Sequence, residues 1–386
     1  MFTYKREIKT EKTIIAICYD FDKTLSPTDM QAQGYIQSID YDVKVFWEES
    51  NTLAERNDMD QNLAYMYKMV QEPIGKFYPT REKLENYGSS VELFPGVETW
   101  FDRINEYADT LGLQVEHYVI SSGLKEMIEG TTIARKGVFK KIYASSFFYN
   151  EKGIAVWPAQ VVNFTGKTQY IFRISKGVLD VNDAGVNEHF DIDKLRIPFR
   201  NIIYIGDSDT DIPCMKLVTT NGGHSIGVYD VNRKDKTKVQ KMIRDERISY
   251  YAAADYSDGE ELDLIVKAII DRTAQNERLE KMKSFYIDET NQAYDGMTEE
   301  QQKRGSLIID LENSKSFTST HTIIGKMKDC RWEKNERERL YSIACTNTQV
   351  NWIITDDDVK AFYTKLLAEE FDFSETAEKV KKLLVE

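Results

Sequence analysis

Three short, largely apolar runs punctuate the first two thirds of the chain, and each ends in small or acidic residues. Ile14 to Tyr19 leads into Asp20 and Asp22, Val115 to Ile120 into Ser121-Ser122-Gly123, and Asn201 to Ile205 into Gly206-Asp207. Runs this short and rich in Ile and Val predict buried strands of a parallel sheet. Helical spacing separates them. It covers Val97 to Leu111, Leu124 to Lys136, a helix opening at Thr165-Gly166-Lys167 and reaching Leu179, and Asp258 to Ile270 with Ser257 as its cap. Ser225 to Val228 predicts one more strand, and Lys141 to Val162 a hairpin turning at Asn150-Glu151-Lys152-Gly153. Strand alternating with helix predicts an α/β fold built on a doubly wound parallel sheet.

Two stretches depart from that alternation. From Gln31 to Asn86 the pattern is helical and rich in aromatics, with Val45, Phe46, Leu53, Leu63, Tyr65, Met66 and Met69 at three- and four-residue steps. Asn57-Asp58, Pro73 and Pro79 interrupt it. This predicts a small helical subdomain inserted after the first strand, its Met and aromatic stripe serving as core. Beyond Thr273 the chain turns to charged helical segments such as Asn276 to Phe285 and Asp356 to Glu370, with no further strand ending in an acid. The expected division is therefore an α/β core from 1–27 and 93–272, an inserted helical segment at 28–92, and a mostly helical extension at 273–386. Within the core, Asp180 to Arg200 is a polar insertion, and the basic run Arg233 to Arg247 predicts a solvated helix face.

Composition narrows the function classes. With 386 residues, 41% apolar and 30% charged, the chain can bury a large core in more than one domain. A net charge of −13 disfavours nonspecific attachment to nucleic acid or to an anionic membrane surface. An acidic protein that handles an anion needs local compensation, for which a divalent metal is the usual device. The first residues, MFTYKREIKTEK, lack an apolar core of signal-peptide length, and no window approaches the run of about 20 apolar residues that a membrane span needs. Cys18, Cys214, Cys330 and Cys345 have no paired ligand spacing. Reduced thiols and a cytoplasmic location are expected.

The candidate chemistry sits at the ends of the predicted strands, where ligands bind in open α/β sheets. Asp20 and Asp22 would face one side if the strand continued through them, and two carboxylates so close need a cation or a shared proton. Ser121, with Ser122 and Gly123 at the expected start of a helix, offers a hydroxyl and outward amides to an anion. Lys167 stands at a helix N-terminus, where a cation opposes the dipole unless its ammonium reaches an anion. Lys176 is its rival but lies late in the same helix, where cations are comfortable. Gly206-Asp207-Ser208-Asp209-Thr210-Asp211 sets Asp207 at a strand mouth and Asp211 one helical turn later, a pair of oxygen donors suited to Mg²⁺. A calcium loop is excluded, because Ile212 and Val218 stand where its glycine and glutamate belong, and Ala184 breaks the similar spacing around Asp180 and Asn182. His117 alternates inside a strand and is expected to be structural.

Taken together, Asp20-Phe21-Asp22-Lys23-Thr24-Leu25, Ser121, Lys167 and Gly206 to Asp211 resemble the four motifs of the haloacid dehalogenase-like superfamily, in order, across residues 13 to 272. Val119-Ile120-Ser121-Ser122-Gly123 and Ala144-Ser145-Ser146-Phe147 look most similar to its phosphoserine-phosphatase-like branch, and residues 28–92 look like a helical cap. The resemblance implies that Asp20 is a nucleophile forming an aspartyl-phosphate and that Asp22 is the general acid and base. It implies that Ser121, Ser122, Gly123 and Lys167 hold the phosphoryl group. Asp20, Asp207, Asp211 and the main-chain carbonyl of Asp22 would hold Mg²⁺. The expected function is a Mg²⁺-dependent phosphatase acting on a small phosphorylated metabolite. Asp22 favours that over dehalogenation, which has no use for an acid there. A phosphotransferase using the same intermediate is an alternative. So is a non-catalytic interaction protein working through its C-terminal helices, which have no counterpart in the motifs.

Overall fold

A computed structural model of the chain describes residues 4–191, 194–368 and 374–385. The chain divides into two compact units, Met1–Leu279 and Glu280–Glu386. The first is built on seven strands: β1 (Thr13–Tyr19), β2 (Leu113–Leu124), β3 (Phe139–Tyr149), β4 (Ala155–Gln160), β5 (Ile202–Gly206), β6 (His224–Tyr229) and β7 (Tyr250–Ala253). They form one sheet in the order β4-β3-β2-β1-β5-β6-β7. All neighbours are parallel except β3 and β4, which form the expected antiparallel hairpin.

The pattern of β1 explains its place at the centre. Ile15, Ile17 and Tyr19 point into the cluster that holds Trp100, Phe101 and Tyr256, whereas Ile14, Ala16 and Cys18 point into the one that holds Tyr170, Ile171 and Cys214. A strand covered on both faces has no polar side, so its run is uninterrupted. Each large side chain buried there stabilises the fold by about 1.5–3 kcal/mol. Chain order reverses at β1, which lies between β2 and β5. That reversal opens the crevice in which the acids meet.

Between β1 and the helix Val97–Thr110 lie the helices Tyr35–Ser38, Val43–Arg56, Gln61–Gln71 and Arg81–Gly88. Asp42, Asp60 and Thr80 cap the last three of the inserted helices by accepting main-chain N–H groups. The breaks fall at Asn57, just before Pro73 and just after Pro79, as the sequence predicts. Phe46, Tyr65, Met66, Met69 and Leu84 pack into the same cluster as one face of the sheet. The helix Arg81–Gly88 meets the helix Lys125–Gly130 backbone to backbone. A Cβ on Gly88 would lie 1.9 Å from the Met127 carbonyl oxygen, and one on Gly130 2.0 Å from that of Glu85. Only glycine fits at either point.

Several expectations shift. Ser121-Ser122-Gly123 belong to the irregular end of β2, and the helix starts only at Lys125, so no helix N-terminus lies at these residues. The strand β7 is not legible in the sequence, because its Tyr-Tyr-Ala-Ala is too short for a periodic signal. The last core helix starts at Glu261 and runs unbroken to Asp295, so the boundary expected at 272/273 falls inside it. Ser257 lies in the turn before it and is not its cap. The basic run contains the helix Thr237–Arg244, which buries Val239 and Met242 and is therefore amphipathic, not charged on every side. In the polar insertion, Arg173 donates to the carbonyls of Asp180, Val181 and Asp183, while Arg196 forms a buried ion pair with Glu116. Residues 192–193 of that insertion, and 369–370 at the end of the predicted helix 356–370, lie outside the described residues.

The second unit is helical. Glu299–Glu312, Phe317–Met327, Lys334–Thr346, Asp357–Ala368 and Glu375–Leu383 enclose a core of their own, with Leu311, Ile324, Leu340, Tyr341 and Tyr363 fully buried. Thr298 and Gln301 cap the first of these helices reciprocally. Among the described residues no helix is long and apolar enough to cross a membrane, and the four cysteines are free.

Candidate active site

The site grows from the carboxyl ends of β1 and β5. These strands are neighbours, and the Asp20 N–H continues their ladder by donating to the Ile205 carbonyl at 2.9 Å. Just beyond, the chain turns around Phe21, whose carbonyl accepts from Thr24, Leu25 and Ser26. The strand therefore does not extend through Asp22. Asp20 and Asp22 do not stand side by side as an extended pair would.

Among the described residues, one cluster of acids could share a metal. Asp20, Asp207 and Asp211 each offer a carboxylate oxygen within 4.8 Å of the others. The Asp22 side chain is outside this cluster. Its Oδ1 accepts from the Met30 N–H at 2.8 Å, and its Oδ2 lies beside Gly123, whose missing Cβ leaves the room for it. Lys167 is fully buried at the start of the helix Thr168–Lys176. Its Nζ lies 2.7 Å from Asp211 Oδ1 and 3.3 Å from Asp20 Oδ2. Lys176 is elsewhere, donating to the carbonyls of Val186 and Glu188 in the polar insertion. Ser121 is buried, and its hydroxyl accepts from the Gly123 N–H at 3.1 Å. The Ser122 hydroxyl is buried without a hydrogen-bond partner, and its carbonyl accepts from Tyr65 of the inserted helices at 2.9 Å.

The electrostatics follow from burial. Asp20 is pushed up to about 7, chiefly by loss of water and next by Asp211, against the pull of Lys167 and hydrogen bonds from Phe21 and Ser121. Burial with the charges of Asp211 and Asp20 likewise brings Asp207 to about 7. Asp22 is raised well above the usual carboxylate range by burial first, then by Asp29 and Asp20. Asp211 goes the other way. Burial opposes its charge, but Lys167, Ser208 and Tyr204 outweigh that and hold it below the usual range. Asp211 and Lys167 thus form the tighter ion pair, while burial and neighbouring carboxylates disfavour the charged forms of Asp20 and Asp207.

Sequence reasoning missed several partners. Tyr204 on β5 and Ser208 both donate to Asp211. A signal for Tyr204 was available: a tyrosine inside an apolar strand must find an acceptor for its O–H. Lys23 holds Asp29 with its ammonium on both carboxylate oxygens, and Lys238 approaches Asp207 to 3.9 Å. Neither residue carries a signal of that contact in its spacing.

An uncharacterized protein of Borreliella burgdorferi is 27% identical over 276 residues, which make up 65% of this chain and 94% of that one. Among solved structures, a hydrolase of the same superfamily from Salmonella enterica serovar Typhi is similar at 15% identity and a TM-score of 0.44, covering 68% of this chain and 74% of its own. A substrate-bound phosphoserine phosphatase is similar at 15% identity and 0.41, covering 67% and 99%. The cytosolic 5'-nucleotidase IIIB bound to cytidine is similar at 14% identity and 0.39, covering 68% and 87%. The family model described as haloacid dehalogenase-like hydrolase matches residues 17–216, and with more than half of its length matched, this chain belongs to that family.

Proposed function

We propose that the protein is a metal-dependent phosphatase that hydrolyses a small-molecule phosphomonoester through an aspartyl-phosphate on Asp20. The observation that carries this reading is the meeting of Asp20, Asp207 and Lys167 at one mouth of the sheet. Asp20 and Asp207, both raised by burial and by neighbouring carboxylates, share one cluster with Asp211, and Asp20 lies 3.3 Å from the buried Lys167 ammonium.

The donor set suits a hard divalent ion. Carboxylate oxygens are what Mg²⁺ prefers, and a cation between Asp20 and Asp207 would return both to their ionised forms. Asp20, Asp207 and the Asp22 main-chain carbonyl are the groups we assign to it. When bound, the ion supplies charge neutralisation between an anionic nucleophile and an anionic substrate.

The chain's own residues then divide the work. A carboxylate oxygen of Asp20 attacks phosphorus as the bond to the leaving alcohol breaks, and Asp22, protonated because its burial favours the neutral acid, gives its proton to the departing oxygen. In the second half, Asp22 takes a proton from water, which attacks phosphorus and breaks the bond to Asp20. Inorganic phosphate leaves and both acids return to their starting state. Lys167 and the Ser121 hydroxyl face the phosphoryl oxygens, where charge accumulates. The helices between Val43 and Gly88 form the cap over this mouth, with Tyr65 bonded to the carbonyl of Ser122.

Purified protein supplied with Mg²⁺ is expected to hydrolyse p-nitrophenyl phosphate and at least one member of a panel of phosphorylated metabolites. Asp20→Asn should abolish both reactions. Unchanged turnover by that variant would remove Asp20 as nucleophile.

A further inference from the structure

The surroundings of Asp211 determine which partner it can serve. Its Oδ1 accepts from Lys167 at 2.7 Å and from the Tyr204 hydroxyl at 2.8 Å, and its Oδ2 from the Ser208 N–H at 3.0 Å and the Ser208 hydroxyl at 2.7 Å. A carboxylate has about four lone-pair directions, and these donors use them. A cation entering here would have to displace a buried donor and leave that group unpaired. Asp20 and Asp207 are held less fully, although Oδ1 of Asp20 accepts from the Phe21 N–H at 2.8 Å and its carboxylate also meets the Ser121 hydroxyl. Oδ2 of Asp20 has Lys167 only at 3.3 Å, and Oδ2 of Asp207 has only the half-exposed Lys238 at 3.9 Å.

The backbone is shaped to the same end. A Cβ on Gly206 would fall 2.7 Å from the Asp211 carboxyl carbon, so the missing side chain is what lets this carboxylate fold back against β5. Tyr204, Ser208 and Gly206 thus fix one orientation, in which the carboxylate faces Lys167. An ammonium carries three N–H donors. With one directed to Asp211 and one toward Asp20, the third is left for an oxygen of the substrate.

We propose that Asp211 serves the lysine and not the metal, and that Tyr204 is the positioning residue that holds Asp211 in place for it. This rests on the phosphatase reading, since it gives Lys167 a phosphoryl group to meet.

The test separates metal affinity from oxyanion affinity in the full-length protein. Mn²⁺ binding is measured by electron paramagnetic resonance, and orthovanadate binding by calorimetry in the presence of the metal, for the parent, Tyr204→Phe and Asp211→Asn. Both variants should bind Mn²⁺ within about threefold of the parent, while vanadate affinity drops about tenfold in Tyr204→Phe and further in Asp211→Asn. A purely structural loss would weaken both ligands together. Asp211→Asn losing Mn²⁺ affinity by about tenfold or more would make Asp211 a ligand and overturn the proposal. Tyr204→Phe matching the parent for vanadate would remove the role given to Tyr204. If Tyr204→Phe does not fold, Asp211→Asn alone decides between lysine and metal. A parent that binds Mn²⁺ but no vanadate would refute the phosphatase reading and, with it, this inference.

Discussion

The hydroxyl of Tyr19 and Nδ1 of His117 lie 2.9 Å apart beneath the tip of β1, one residue before Asp20. The indole N–H of Trp100 donates to the same hydroxyl at 2.8 Å, so the single proton of Tyr19 is directed to His117. Nδ1 is then the acceptor, and Nε2 carries the ring proton toward Asn105 Oδ1 at 3.1 Å. A buried chain of four side chains, Trp100-Tyr19-His117-Asn105, thereby supports the strand that delivers the proposed nucleophile.

This chain requires a neutral imidazole, and burial pushes His117 down to about 3. An unfolded histidine titrates near 6.5, so between about 6.5 and 3 the unfolded state binds a proton that the folded state does not. Stability from this residue is complete above that window and is lost as pH falls through it. Chemical denaturation at pH 7 and pH 5 should give a loss about 2 kcal/mol smaller in His117→Asn than in the parent. Equal losses in the two proteins would show that the folded histidine takes up its proton normally.

The Gly206 contact predicts a cost that its sequence neighbours do not share. In Gly206→Ala the new methyl would meet the Asp211 carboxyl at 2.7 Å, and moving it breaks bonds to Lys167, Tyr204 or Ser208. Destabilisation of about 1–3 kcal/mol is expected from overpacking of this kind. Gly166→Ala, where nothing lies within 4 Å of the added carbon, is the control and should stay within about 0.5 kcal/mol. Thermal unfolding of the two variants decides the matter, and equal melting points would contradict it.

Glu116 and Arg196 form a bidentate pair at 2.6 and 2.7 Å, each residue no more than 6% exposed. Burial works against the charge of Glu116, but Arg196 and Tyr118 outweigh it and hold its carboxyl below the usual range. Its contribution is present above about 4.3, the unfolded value, and is lost as pH falls through the folded one. Glu116→Leu, which strands the guanidinium, should cost about 3–5 kcal/mol. Glu116→Leu with Arg196→Met should cost less than the sum of the single changes, since removing both partners leaves no unpaired charge. Additive losses in urea denaturation would show the two residues to be uncoupled.

What was legible in the chain follows from where the physics is local. Uncharged runs announced β1, β2 and β5 because both faces of each are covered, and Asp20, Ser121, Lys167 and Asp207 could be picked out because strand and helix ends leave a grammar of acids, hydroxyls and misplaced cations. Long-range partnerships left no such mark. That Arg196 reaches across 80 positions to Glu116, or that Tyr204 braces Asp211, depends on how elements stack. The helix from Glu261 to Asp295 misled for a different reason: its buried stripe gives way to charge near Thr273, so a change of surroundings looked like a change of element. Ser121 to Gly123 misled because residues of cap-forming type can equally close an irregular strand.

The glycine contact between Arg81–Gly88 and Lys125–Gly130 has a mechanical corollary. Two backbones pressed together without side chains between them can neither slide nor rock without collision, so that side of the inserted helices acts as a fixed hinge plate. The helices Val43–Arg56 and Gln61–Gln71 are joined to the core differently, through the buried side chains of Phe46, Met66 and Met69 and through single hydrogen bonds from Asn62 to the Val162 carbonyl and from Tyr65 to that of Ser122.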